Sequence, residues 1–114
     1  MAKILVTDDE PNIRSILSVL LKNEGYEVET APSGEDAIIL ADNQQFDVAI
    51  LDVNLPGLNG IETMKKIRAI QPFISFVFIT AHGTVSLAVS AIKNGAFNFL
   101  AKPFDNEELL TIVQ

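Results

Sequence analysis

Three acids, one hydroxyl and one amine stand where they could handle phosphate together. Asp8 and Asp9 follow the apolar run Lys3 to Thr7, and Asp52 follows the run Phe46 to Leu51. Thr80 follows Ser75 to Ile79, and Lys102 follows Phe97 to Ala101. Short apolar runs that stop at polar residues read as buried strands. In an open parallel sheet the carboxyl ends of the strands share one edge, and ligands bind there. Crowded carboxylates repel one another and need positive charge nearby. Lys102 offers one ammonium, and a divalent ion supplies the rest. Oxygen ligands without Cys or His clusters favour a hard cation, Mg²⁺ or Mn²⁺. Asp52 is then a natural nucleophile, because a carboxylate can form an aspartyl phosphate. The cation, Lys102 and the Thr80 hydroxyl give three handles for phosphoryl oxygens. Ala81 leaves room for the group beside Thr80.

The elements that must position these residues alternate. Pro11 suits a first helical turn, and Ile13, Ile16, Leu17, Leu20 and Leu21 form an amphipathic stripe ended by Gly25. Tyr26 to Thr30 is a weaker strand. Ser33 to Asp36 resembles a capping box before a helix through Ala37, Ile38 and Ala41. Val53 to Gly60, with Pro56 and Gly57, is a loop. Asn59 can cap a helix carrying Ile61, Met64 and Ile67 on one face. Val85, Ala88, Val89 and Ile92 mark a fourth helix stopped by Gly95. Asp105 and Glu108 open a last helix, expected to be cut short at Gln114, either by the end of the piece or at a junction with another domain. Strand and helix alternate five times, which predicts a five-stranded parallel sheet with helices on both faces. This is a three-layer α/β sandwich and a single domain over residues 1–114.

Taken singly, these residues have plainer explanations. Asp8 and Asp9 suit a helix start, Asp52 a loop, Thr80 a strand end and Lys102 a solvated surface. Their joint placement at strand carboxyl ends favours a site. His82, the one histidine, reads as a loop residue near the pocket mouth, with tuning of water access as the lesser reading. Leu87 falls off the buried stripe of its helix.

The composition excludes several classes. A net charge of -7 repels nucleic acid and anionic membrane alike. The absence of cysteine excludes disulfides, thiolate metal sites and a cysteine nucleophile. The amino terminus is too short an apolar run for a signal peptide, and no window reaches the length of a membrane span. A cytoplasmic location is expected.

The sequence resembles the receiver domain of bacterial two-component response regulators over nearly its whole length. The resemblance rests on Asp8-Asp9, Leu51 to Gly60 around Asp52, Thr80-Ala81 and Lys102-Pro103-Phe104. It implies a flavodoxin-like fold and Asp52 as the phosphoacceptor. Asp9, Asp52 and the Asn54 backbone carbonyl would bind Mg²⁺, with Asp8 acting mostly through water. Thr80 and Lys102 would hold phosphoryl oxygens. Phe99 takes the position of the aromatic switch residue, often Tyr, and Lys102-Pro103 that of a cis peptide. The implied partners are a sensor histidine kinase and an output domain or partner protein, reached through the fourth helix, fifth strand and fifth helix. A homodimer is a further assembly that the resemblance allows. Such a domain catalyses only its own phosphorylation and dephosphorylation. Ala96 to Asp105 is most similar to receivers of nitrogen-regulation transcription activators.

Other readings fit less well. Dehalogenase-type phosphatases carry a second acid two residues after the nucleophile, where this chain has Asn54. A flavin site needs a Ser-, Thr- and Gly-rich loop where this chain has Asp8-Asp9-Glu10. A dinucleotide loop is absent. A receiver fold that no longer uses phosphate conflicts with the complete residue set.

Overall fold

The computed structural model describes residues 2–80, 85–93, 95–96, 98–101 and 106–113. Five strands alternate with five helices: β1 (Lys3–Thr7), α1 (Pro11–Asn23), β2 (Glu27–Ala31), α2 (Gly34–Asn43), β3 (Val48–Asp52), α3 (Gly60–Ile70), β4 (Ser75–Thr80), α4 (Val85–Lys93), β5 (Asn98–Ala101) and α5 (Asn106–Val113). The strands form one parallel sheet in the order β2-β1-β3-β4-β5. The five-stranded α/β expectation therefore holds.

Alternation along each strand builds two cores. Leu5, Ala49, Leu51, Phe76 and Phe78 pack with Ala37 and Ala41 of α2 and Met64 and Ile67 of α3. Ile4, Val6, Ile50, Val77 and Ile79 pack with Leu17 and Leu21 of α1 and Leu109 of α5. Burial on both faces explains why the central strands read as unbroken apolar runs.

The local signals act as expected. Ser33 Oγ accepts from Asp36 N–H at 3.1 Å, and Asn59 Oδ1 accepts from Glu62 N–H at 2.9 Å. Gly25 takes a φ of +94° past the end of α1, a region that disfavours side chains. Two apolar stripes are narrower than their periodicity predicts. Ile16 is 55% exposed, because it lies roughly 100° around the helix from Leu17, the centre of the buried line. Val89 and Ile92 of α4 are also partly exposed. Strand limits shift slightly. Phe46 precedes β3, and its N–H donates to Gln71 Oε1 at 2.9 Å.

One close approach sets the path of the chain after Asp52. A Cβ on Gly60 would collide with the Asp52 carbonyl oxygen and come within 2.9 Å of the Phe78 ring and Val53 Cα. Gly60→Ala should lower unfolding free energy by about 2 kcal/mol through overpacking. Urea denaturation checks this, and an unchanged midpoint would contradict it.

Candidate functional site

The strand order reverses direction at β1 and β3. From β1 the chain moves outward to β2, and from β3 it moves the opposite way through β4 to β5. Right-handed crossovers then place α1 on one face and α2, α3 and α4 on the other. The gap between them at the carboxyl edge is the topological switch point, where ligands bind in such sheets.

Asp8 and Asp52 sit at that point. Thr7 pairs with Leu51, so the residues that follow, Asp8 and Asp52, leave adjacent strands at the same level. Both are buried, Asp8 at 0% and Asp52 at 4% exposure. Each makes the same local turn. Asp8 Oδ1 accepts from Glu10 N–H and Asp52 Oδ1 accepts from Asn54 N–H, both at 2.9 Å. Such Asx-turns orient each carboxylate and bend the chain away from its strand. Asp9 lies on the same rim and is exposed. Asn54, the expected carbonyl ligand, lies in the loop between β3 and α3. Glu35 of α2 steadies that loop, its Oε2 accepting from Leu58 N–H at 3.4 Å.

The donor set fits a hard cation. Carboxylate oxygens of Asp8, Asp9 and Glu10 lie within 4.8 Å of one another. Octahedral coordination at ~2.1 Å places oxygens ~3–4 Å apart, so small side-chain movements suffice. This trio contains Glu10, which the sequence reading did not assign, and does not contain Asp52, which approaches from the neighbouring strand. The unbroken Asp-Asp-Glu run was the signal for Glu10.

Thr80 ends β4, and Ala101 ends β5 as its register partner. Lys102 follows Ala101 in sequence. Lys102, Pro103, Phe104, Ala81 and His82 lie outside the described residues, as do the side chains of Thr80, Phe99 and Leu87. The proposed cis peptide and the roles of His82 and Leu87 fall there too. Among the described residues, no helix is long and apolar enough to cross a membrane.

The chain matches the family described as response regulator receiver domain over residues 4–114, and it belongs to that family. It is 37% identical to regulatory protein AtoC of Escherichia coli over 112 residues, 98% of this chain and 24% of the relative. It superposes on NtrX from Brucella abortus with a TM-score of 0.93 at 35% identity, covering 98% of this chain and 25% of that one. A response regulator from Burkholderia pseudomallei, solved with a phosphorylated aspartic acid, calcium ion and citrate, matches with a TM-score of 0.91 at 30% identity. That match covers 100% of this chain and 67% of the other. The chain spans about a quarter of the length of the curated relatives it matches. Its place in the family makes it a signalling domain of the two-component type.

A bound divalent cation should stabilise this rim. At ten times its dissociation constant it should raise unfolding free energy by about 1.4 kcal/mol. Thermal melts with and without Mg²⁺ should show the rise in the wild type and little or none in Asp9→Ala. An equal rise in both would move the cation elsewhere.

Proposed function

We propose that this receiver accepts a phosphoryl group on Asp52 from a partner sensor histidine kinase in a Mg²⁺-dependent reaction. The observation that carries this reading is the adjacency of Asp8 and Asp52 at the switch point, with Asp9 beside them. The phosphorus–nitrogen bond of the donor histidine breaks as a bond forms to an Asp52 carboxylate oxygen. Mg²⁺, when bound, supplies charge that neutralises the phosphoryl oxygens. Asp9, Asp52 and the Asn54 carbonyl would hold it, with Asp8 acting through water. Thr80 and Lys102 would take the remaining oxygens. The domain catalyses its own phosphorylation and dephosphorylation and no other turnover.

Phosphorylation adds about −1.5 to −2 charges. They draw Thr80 and Lys102 inward and bias an equilibrium between two conformations. Phe99 reports the change on the surface of α4, β5 and α5, toward an output domain, a partner protein or a second copy. The unit of residues 1–114 works in the cytoplasm and controls an output domain or a partner protein, in the regulation of transcription. Support comes from AtoC, a regulatory protein about four times as long, and from the Burkholderia relative with its phosphorylated aspartate.

Incubation with a small acyl phosphate and Mg²⁺ should label the wild type once per chain. Asp52→Asn should abolish the label, and chelation of the metal should suppress it. Labelling that persists in Asp52→Asn would refute the assignment.

A further inference from the structure

We propose that Arg14 is a positioning residue for the cation, holding the Asp8–Asp9 peptide in place from the first turns of α1. The inference rests on the receiver reading above and concerns a residue that reading does not use. Arg14 Nη1 donates to the Asp8 carbonyl oxygen at 2.7 Å in a part-buried setting. A charged donor at that length makes a strong hydrogen bond. The Arg14 backbone N–H donates to the Glu10 carbonyl at 3.2 Å, so one residue ties back to both residue 8 and residue 10. Asp8 N–H in turn donates to the Ala31 carbonyl at 3.2 Å, and Asp8 Oδ1 accepts from Glu10 N–H.

The Asp8 carbonyl belongs to the planar peptide that joins Asp8 to Asp9. Fixing that plane limits the backbone rotations on either side of it, ψ at Asp8 and φ at Asp9, from which both side chains leave. Asp9 is exposed, so its aim depends on this anchoring more than on surrounding packing.

Arg14 also carries a positive charge, and the two effects have opposite signs. If the guanidinium acted only through its charge, removing it would tighten cation binding. If it acts by positioning, removing it weakens binding, as loss of a supporting contact around a metal site commonly does, by about tenfold. The short contact to a backbone carbonyl, not to a carboxylate, favours positioning.

The test is calorimetric Mg²⁺ titration of the wild type, Arg14→Ala and Arg14→Lys, with amide hydrogen exchange on the metal-free proteins. Arg14→Ala should bind Mg²⁺ about tenfold more weakly. Arg14→Lys, which keeps the charge but not the planar fork, should recover part of the loss. Exchange at residues 8–10 should quicken in Arg14→Ala while β3 and β4 stay protected. Binding in Arg14→Ala as tight as in the wild type, or tighter, would overturn the positioning role and leave the receiver reading intact. Unchanged exchange at residues 8–10 would overturn it equally. Should Arg14→Ala fail to fold, Arg14→Lys decides, and wild-type affinity there would refute the role. A wild type that binds no Mg²⁺ would overturn both readings.

Discussion

Two buried acids held at one level on adjacent strands are the constraint on which the rest of the structure depends. Asp8 and Asp52 are buried at the carboxyl ends of adjacent parallel strands. Neighbouring strands stand ~4.8 Å apart, so this placement is imposed by the backbone and not chosen by the side chains. A hard cation takes oxygen ligands of this kind. Strand order and register bring the two acids to one level at the switch point, where ligands bind in such sheets.

The surrounding elements keep that rim from relaxing. The turns after Asp8 and Asp52 direct each carboxylate through a hydrogen bond to the amide two residues on. Gly60 lets α3 begin against the Asp52 carbonyl, and Asn59 caps the helix there. Glu35 reaches across from α2 to the same loop. Gly57 within it takes a φ of +68°, a conformation that glycine adopts without strain. Beneath them lie Phe76 and Phe78 on one face of β4 and Val77 and Ile79 on the other. Such dense packing transmits small displacements at the rim instead of absorbing them.

Much of this was legible in the sequence because the signals were local. Apolar runs ending in Asp or Thr marked the strands, and Ser33 and Asn59 marked helix starts. The parallel topology followed from alternation and the handedness of crossovers. What the sequence left hidden depends on contacts between distant segments. Gln71 looks like an ordinary polar residue at a helix end. Its amide nitrogen in fact donates to the carbonyls of Ala41 and Gln44, and its oxygen accepts from Phe46 N–H. Arg14 reads as a solvated helical charge until its hydrogen bond to Asp8 is seen. Ile16 fits the apolar spacing, yet spacing cannot say where the buried arc ends.

The most direct test of the central claim uses Mn²⁺ as a paramagnetic stand-in for Mg²⁺, with isotope-labelled protein observed by NMR. Substoichiometric Mn²⁺ should broaden the amide signals of residues 8–10 and 52–54 first. Broadening centred instead on exposed acids away from the switch point, such as Glu24, Glu27 and Asp42, would contradict the account.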